Sequence, residues 1–396
     1  MICVIITLLQ KVVTVYTTEI QESSVMGTEF KEYDKNVIVN ANIRNVDVDM
    51  FDVRQEPFDI YGLYDAKNKE QTRFLRMPYD IALEVSQGAG TLCQEPAGGR
   101  VRFCTDSDYV AIKVETAWIS HRPHFTFIES GGFDMYVDID GRERLQGVFI
   151  PPYEAKEGYE SIIKFREGDT RKNQKKYITI NFPIHACVKR LLVGVRPGSF
   201  LGHGKKYIND KPIVFYGSSI THGTGTSRPG LTYSNMISRR LNVNVYNLGF
   251  SGQCKGEPRM AEYVAGLDMS AFVFDYDHNA PTPEYLEETH EPFFKTVRSK
   301  HPDLPVVMIT RPNIFPESVS NKRFHDVVLR TYENALAAGD KNVYFVDGSE
   351  YLKEYGYDDC ILDGVHPNDL GYSIMADNVQ KHIEKIIAEG DDFGKA

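Results

Sequence analysis

The pattern of apolar residues changes near residue 205, and this change constrains the fold more than any other feature of the chain. Before it, apolar residues alternate with polar or small ones, as at Val110, Ile112 and Val114. A period of two is typical of half-buried β-strands. After Lys211, short apolar runs alternate with longer stretches of helical pattern. The two halves are therefore expected to differ in fold class.

Several short strands are predicted before residue 205. Apolar residues alternate over 178–182 and again over 135–139. Asp140 and Gly141 then form a pair that is typical of a tight hairpin turn. Few stretches in this half carry the apolar stripe of a helix. The pattern predicts an all-β sandwich or jelly roll over residues 26–204.

A layered α/β domain is predicted for residues 205–396. Predicted strands and helices alternate along this half, at 213–216, 231–241, 243–248, 257–266, 271–274, 284–300, 306–310, 322–338 and 343–346. A closing helix is predicted from about Pro367, a residue that suits the first turn of a helix. Strands that alternate with helices indicate a parallel sheet covered on both faces.

The length and the charge of the chain limit the classes of function. A chain of 396 residues is too long for one ordinary hydrophobic core and long enough for two domains. The formal net charge of −10 argues against a broad phosphate-binding surface, so nucleic acid is not expected as a partner. No metal or other cofactor is predicted, because the six cysteines lack the paired spacing of zinc sites. The sequence does not predict an oligomeric state.

The N-terminus and the cysteines bear on the compartment. Residues 1–25 are predicted to be a peripheral segment. The apolar run from Ile2 to Leu9 is far shorter than the ~20 residues of a membrane span, so no membrane partner is expected. Cys93 and Cys104 could lie on neighbouring strands, but buried free thiols in a reducing compartment are favoured. The cytoplasm is therefore the expected location, with secretion as the alternative if the apolar run is a signal.

Ser219 is the candidate nucleophile. It follows the apolar run 213–216 and Gly217, whose missing side chain allows the backbone to turn sharply. Reacting groups in open α/β sheets gather outside the carboxyl ends of the strands, and Ser219 lies one turn past such an end. Alone, a serine after a strand is more often a turn or capping residue.

Asp363 and His366 change that interpretation. A separation of three residues places both side chains on one side of a turn, so the carboxylate could accept a hydrogen bond from one ring nitrogen while the other faces Ser219. Without Ser219, a helix-capping His-Pro pair with a solvated aspartate would be preferred. Together the two motifs supply the nucleophile, the base and the orienting acid of serine-based ester hydrolysis.

Two further strand ends offer donors for an oxyanion hole. The run 245–252 ends in Gly252, whose N–H could approach the site unobstructed. Asn279 follows the strand 272–274 and offers a side-chain amide. Each alone is an ordinary turn. Three consecutive strand ends that offer a nucleophile, a backbone N–H and an amide are harder to dismiss.

These residues resemble the sequence blocks of the SGNH (GDSL-type) hydrolase superfamily, which is named for its Ser, Gly, Asn and His blocks. Ser219 matches the first block, Gly252 the second and Asn279 the third. Asp363 and His366 match the last block.

The resemblance implies both a fold and a site. It implies a flavodoxin-like three-layer fold over about residues 205–390. It also implies an oxyanion hole formed by the N–H groups of Ser219 and Gly252 and by the amide of Asn279.

Further segments resemble a subgroup of the superfamily that carries an N-terminal β-domain. These segments are 217–221 with 227–230, 275–277 before the third block, and 132–136. Two positions depart from the usual pattern. Ser218 stands where the superfamily usually has an aspartate, and Asn279 is followed by Ala280 rather than the frequent aspartate. Neither departure removes a catalytic group.

The predicted activity is that of a metal-independent serine esterase that works through an acyl-enzyme. Two-domain proteins of this appearance resemble carbohydrate esterases, so an acetylated oligosaccharide or polysaccharide is the expected substrate. Arg311 follows the strand 306–310 at its carboxyl end and could contact this substrate. A surface salt bridge is an equally good interpretation of Arg311.

The sequence also bears on several alternative functions. An α/β-hydrolase is disfavoured, because its motif has a glycine two places after the serine and this chain has Thr221 there. A lysophospholipase, a thioesterase or an acyltransferase could use the same catalytic groups. The absence of a long apolar lid segment disfavours a lipase for long acyl chains. A carbohydrate-binding protein on an inactive scaffold is the alternative outside the enzyme class.

Overall fold

The computed structural model describes residue 43 and residues 46–166, 168–169, 171–312 and 318–390. All of these residues belong to a single compact unit. Residues 1–25, predicted to be peripheral, lie outside the described residues. The domain boundary predicted between residues 204 and 205 stays a prediction.

Ten antiparallel strands and three short helices make up the first half of the described chain, here named the β-region (residues 46–203). The strands are β1 (Asp49–Asp52), β2 (Asp59–Tyr61), β3 (Arg100–Thr105), β4 (Tyr109–Ile119), β5 (Phe133–Ile139), β6 (Arg142–Phe149), β7 (Gly158–Lys164), β8 (Lys176–Asn181), β9 (Ala186–Val195) and β10 (Leu201–His203). The helices are α1 (Tyr79–Val85), α2 (Gln87–Leu92) and α3 (Phe127–Gly131).

The strands of the β-region form two sheets. One sheet has the order β1-β9-β4-β7, and the other has the order β10-β3-β8-β5-β6 with β2 paired to β3. The predicted hairpin joins β5 to β6. Asp140 and Gly141 have φ angles of 55° and 82°, as a type I′ turn requires.

The two antiparallel sheets share one apolar core. Ile112 and Val193 of the first sheet lie in the same buried cluster as Phe103, Met135 and Ile180 of the second. Successive side chains of a strand point to opposite faces, so alternate positions fill this core. The predicted antiparallel β-structure is confirmed, whereas the jelly-roll connectivity stays a prediction.

Five parallel strands and six helices make up the second half of the described chain. The strands are β11 (Ile213–Gly217), β12 (Val245–Gly249), β13 (Ala271–Asp275), β14 (Val306–Ile309) and β15 (Val343–Val346). The helices are α4 (Ser219–His222), α5 (Tyr233–Leu241), α6 (Pro258–Ala265), α7 (Pro283–Lys300), α8 (Val319–Ala337) and α9 (Asp369–Glu389). None of the helices within the described residues is long and apolar enough to cross a membrane.

The parallel strands are ordered β12-β11-β13-β14-β15. Numbered within this half, the order is 2-1-3-4-5, which is the order of flavodoxin-like sheets. Ile213 of β11 is aligned with Val245 on one side and with Ala271 on the other. In such a sheet the chain reverses its direction of winding beside the first strand, and ligands bind at the carboxyl ends there.

Helices cover both faces of the parallel sheet. On one face, Ile237 of α5 and Val379 of α9 share a buried cluster with Phe215 of β11. On the other face, Phe293 of α7 packs in a second cluster with Phe274 of β13. The predicted α/β class with a covered parallel sheet is therefore confirmed.

The β-region also contributes to the core of the parallel sheet. Leu75, Met77 and Cys93 lie in the same buried cluster as Met260 of α6 and Phe274. Helix α1 packs against α6. The two regions are therefore joined by apolar packing as well as by the chain.

The predicted element boundaries in the second half lie within three residues of the observed ones. The closing helix α9 begins at Asp369, two residues after the predicted start at Pro367. The side chain of Asn368 accepts the N–H groups of Leu370 and Gly371, so Asn368 is the capping residue. The cysteines among the described residues are buried free thiols, as predicted.

Candidate active site

Ser219 opens the short helix α4 directly after β11. A Cβ on Gly217 would lie 2.0 Å from Oγ1 of Thr221 and 2.2 Å from the carbonyl oxygen of Asp275, so only glycine fits there. This close approach lets the chain turn at once from strand to helix. Ser218 caps the helix by accepting a backbone N–H at 3.2 Å. Ser219 thus lies at the carboxyl edge of the parallel sheet.

Ser219, His366 and Asp363 form one hydrogen-bonded chain. Nε2 of His366 lies 2.8 Å from Oγ of Ser219, and Nδ1 lies 2.8 Å from Oδ2 of Asp363. Oδ1 of Asp363 accepts the backbone N–H groups of Val365 and His366. The structure therefore brings together the three residues that the sequence predicts as catalytic. Their spacing allows the imidazole to accept the serine proton.

Asp363 is held in its ionised form. Burial alone would raise the pKa of its carboxyl, but hydrogen bonds from the N–H and the ring of His366 outweigh burial and lower the pKa below 3.8. The ionised carboxylate accepts the Nδ1 proton, which leaves the lone pair of Nε2 directed at Ser219. This is the tautomer that a general base needs.

Gly252 and Asn279 lie side by side at the next two strand ends. The N–H of Gly252 donates to Oδ1 of Asn279 at 3.2 Å, and Nδ2 of Asn279 donates to the carbonyl oxygen of Phe250 at 3.0 Å. An amide nitrogen carries two protons, so one Nδ2 proton remains for an oxyanion. Gly252 has a φ of 69°, a left-handed conformation that favours glycine.

Arg311 lies beneath the segment that carries Asn279. Its Nε is 3.3 Å from Oδ2 of Asp277, its backbone N–H donates to the same oxygen, and its guanidinium stacks 3.8 Å from the ring of Phe324. Asp277 is almost completely buried. The structure thus gives Arg311 a partner inside the protein, and its predicted contact with substrate stays a prediction.

One loop of the β-region reaches Asp363. Nε2 of His124 lies 3.9 Å from Oδ2 of Asp363. Oγ1 of Thr126 donates to the carbonyl oxygen of Ser227 at 2.9 Å. The β-region therefore borders the site directly, a relationship that the sequence left open.

Three buried residues bring potential metal-ligand atoms close together. Among the described residues, Glu95, His185 and His222 place ligand atoms within 4.8 Å of one another. However, Nη2 of Arg76 lies 3.4 Å from Nε2 of His222. A guanidinium that close would repel a cation, so this donor set does not fit a metal. Sequence reasoning missed this cluster, because its members are far apart in the chain and follow no motif spacing.

Two family models match the chain. Residues 210–384 match the GDSL-like lipase/acylhydrolase family, and residues 48–201 match the N-terminal region of SGNH hydro-type esterases. The chain belongs to the SGNH (GDSL-type) hydrolases, in the subgroup with an N-terminal β-region. Its class is therefore that of a hydrolase acting on ester bonds. No curated protein matches the chain in sequence.

Solved structures share the fold over most of the chain. A candidate GDSL-like lipase from Bacteroides ovatus ATCC 8483 is 26% identical with a TM-score of 0.76, covering 88% of this chain and 100% of its own. The salicylyl-acyltransferase SsfX3 of a tetracycline biosynthetic pathway is 18% identical with a TM-score of 0.69, covering 86% and 97%. The acetyl xylan esterase Est2A from Butyrivibrio proteoclasticus is 12% identical with a TM-score of 0.54, covering 86% and 99%.

Proposed function

We propose that the protein is a serine esterase that removes small acyl groups, acetyl above all, from carbohydrates through an acyl-enzyme. The observation that carries the chemistry is the chain of two 2.8 Å contacts from Ser219 through His366 to Asp363. In this proposal Ser219 is the nucleophile, His366 the general base and acid, and Asp363 the group that orients His366.

The proposed reaction proceeds in two steps, acylation and then deacylation of Ser219. In the first, Oγ of Ser219 bonds to the ester carbonyl carbon while Nε2 of His366 takes the hydroxyl proton. His366 then gives that proton to the departing sugar oxygen, and the acyl-enzyme remains. In the second, His366 takes a proton from water, whose oxygen attacks the acyl carbon. The carboxylic acid leaves and Ser219 regains its proton.

The developing oxyanion lies between three strand ends. The N–H groups of Ser219 and Gly252 and the second Nδ2 proton of Asn279 are the proposed donors. Gly252 and Asn279 are hydrogen-bonded to each other, so binding of the oxyanion exchanges that contact for contacts with the substrate. Donors of this kind act most strongly as negative charge develops in the transition state.

Carbohydrate is the proposed substrate class for two reasons. A structural neighbour, Est2A, is named an acetyl xylan esterase. In addition, His121 lies on the loop that brings His124 beside Asp363, and Phe127 begins helix α3 directly after that loop. The rings of both residues contact that of Tyr153. The Tyr153 side chain is exposed, and aromatic rings that are open on one face suit the apolar faces of sugars.

We also propose a jelly-roll connectivity for the β-region, on the strength of its two sheets around one core.

The test is release of acetate from a panel of acetylated oligosaccharides, beside p-nitrophenyl esters of increasing chain length. The parent protein should release acetate, and Ser219→Ala should lose at least about 1000-fold in rate. Ser299→Ala, the same change at an exposed helical serine, is the matched control and should keep the parent rate.

Other outcomes identify the rival functions. A preference for long acyl chains would identify a lysophospholipase-type enzyme, and transfer to an added alcohol in preference to water would identify an acyltransferase. If the parent hydrolyses no ester but binds glycans as tightly as Ser219→Ala, the chain is a carbohydrate-binding protein.

A further inference from the structure

A cluster of five charged or titratable residues lies buried between the β-region and the parallel sheet. Its members are Arg76, Glu95, Glu129, His185 and His222, and we name it the buried ion cluster. Each is at most 4% exposed. Four members come from the β-region, and only His222 belongs to the half that carries Ser219. The esterase mechanism uses none of them directly.

His185 is the centre of the cluster, with a carboxylate near each of its ring nitrogens. Its Nδ1 lies 3.3 Å from Oε2 of Glu95, and its Nε2 lies 3.4 Å from Oε1 of Glu129. Nε2 also lies 3.3 Å from Oγ1 of Thr224. The two carboxylates favour the doubly protonated imidazole, because both of its nitrogens then donate. In that form of His185, the cluster with Arg76 holds two positive and two negative charges. Such a balance is what allows charges to remain buried.

One arm of the cluster reaches the catalytic base. Oε1 of Glu129 accepts the backbone N–H of Gly225 at 3.0 Å. Gly225 has a φ of 98°, and a Cβ on it would lie 2.7 Å from the carbonyl oxygen of Pro367 and 3.2 Å from Cβ of His366. Gly225 therefore packs directly on the backbone that carries the base. Glu129 is thus hydrogen-bonded to the glycine that lies against His366.

His222 and Arg76 connect the cluster to the loop that carries Gly252, here named the Gly252 loop. Nδ1 of His222 lies 3.0 Å from Oγ of Ser251, the residue before Gly252. The guanidinium of Arg76 donates to the carbonyl oxygens of Asn247 and Gly249, at the end of β12 that leads into this loop. Burial lowers the pKa of Arg76 only to about 10, so the guanidinium stays charged at neutral pH.

We infer that the buried ion cluster is the device by which the β-region positions His366 and the Gly252 loop, so that esterase activity depends on Glu129 as a positioning residue. This inference rests on the proposed esterase function. It assigns the β-region a part in catalysis beyond any binding of sugar.

The decisive comparison is between Glu129→Ala and Glu129→Gln. Alanine leaves the N–H of Gly225 without its acceptor, whereas glutamine keeps an oxygen at that position. Misplacement of a catalytic group by about 1 Å can cost about 100-fold, so Glu129→Ala should lower kcat by about 10- to 100-fold. KM should stay within about twofold, and Glu129→Gln should restore most of the lost kcat, because the backbone contact is what positions His366.

Glu143 supplies the matched control. It is a partly buried carboxylate of the β-region that pairs with Arg102 at 3.1 Å, and Arg102 in turn donates to Oδ1 of Asn242. Asn242 precedes β12 and lies at the edge of the sheet opposite Ser219. Glu143→Ala and Glu143→Gln should lower Tm by amounts similar to the Glu129 variants while leaving kcat close to that of the parent.

A second variant covers the case in which Glu129→Ala does not fold. Ser251→Ala removes the contact to His222 at a half-buried position and should lower kcat about 10-fold with little change in Tm. The inference fails if Glu129→Ala keeps kcat within about threefold of the parent, or if the Glu143 variants lose as much kcat as the Glu129 variants. Stoichiometric zinc in the purified protein would also overturn it.

A fluorophosphonate probe separates this inference from the proposed function. A parent protein that reacts with the probe at Ser219 but hydrolyses no acetyl ester contradicts the substrate assignment alone. In that case the rate of labelling replaces kcat as the readout, and the Glu129 variants should be labelled more slowly than the Glu143 variants.

Discussion

Oγ of Ser219 and Nε2 of His366 lie 2.8 Å apart, although 147 residues separate them in the chain. The parallel sheet makes this possible, because Ser219 follows the interior strand β11 and His366 follows the edge strand β15 at the same carboxyl edge.

Asp363→Asn should lower kcat by about 100- to 10,000-fold with little loss of stability. The amide keeps an oxygen for the backbone N–H groups of Val365 and His366 but presents an N–H to Nδ1. The imidazole then takes the wrong tautomer, and Nε2 no longer accepts the proton of Ser219. Steady-state hydrolysis of p-nitrophenyl acetate measures the loss, and a circular dichroism melt within a few degrees of the parent is the control.

Asn279→Ala should lower kcat by about 100- to 1000-fold while KM changes little, because the amide contributes in the transition state. In the parent protein the N–H of Gly252 donates to Oδ1 of Asn279, so the same change also removes the acceptor of that N–H. A parallel rise in KM with an unchanged kcat would show that Asn279 binds the ground state instead.

Gly252→Ala tests backbone conformation without a steric clash. A Cβ at this position meets no heavy atom within 4 Å, so any effect comes from the φ of 69°. A left-handed conformation costs a non-glycine residue about 1–2 kcal/mol. We expect the loop to shift and kcat to fall by at least about 10-fold, with the loss of stability measured by urea unfolding. Gly339→Ala, also at positive φ with open space around it, is the control and should lose stability but not kcat.

Arg311→Ala distinguishes a structural role from contact with substrate. Removal of the guanidinium leaves Asp277 buried without its charge partner, which costs about 3–5 kcal/mol for buried pairs in general. We therefore expect a marked fall in Tm and a fall in kcat through the displaced Asn279. A variant with parent-like Tm and a KM raised only for glycan substrates would instead support the predicted substrate contact.

The stability of the protein should fall as pH rises above about 6.5, through deprotonation of His185. Burial lowers the pKa of this imidazole, but the contacts with Glu129 and Glu95 outweigh burial and raise the pKa above 6.5. A group whose pKa is raised on folding stabilises the protein fully below its unfolded pKa, and this contribution is lost as pH rises through the folded pKa. Tm measured from pH 6 upward should decline more steeply in the parent than in His185→Gln.

The sequence was sufficient to predict the parallel sheet and the residues at its carboxyl edge. The periodicity of apolar residues specifies strands and helices, and the parallel arrangement places Ser219, Gly252 and Asn279 at one edge. Asp363 and His366 were predictable as a pair because a local turn joins them. These inferences depend on contacts within single elements or on a general rule of topology.

The buried ion cluster could not be predicted in the same way. Glu129 lies within a five-residue helix, and His185 directly precedes a strand. Polar residues are common at both kinds of position. Their roles arise only because the β-region docks against the loop at Gly225. Arg311 shows the same limit, since its partner Asp277 lies 34 residues away on another strand end.

The burial of Leu75, Met77 and Cys93 in one cluster with Phe274 of the parallel sheet has a consequence for protein engineering. A chimera that replaced the first 200 residues with an unrelated module would leave apolar surface exposed to solvent along one side of the hydrolase sheet. The N-terminal region therefore cannot be exchanged freely for another domain. A truncated enzyme that begins at residue 205 should be insoluble, and not only less active.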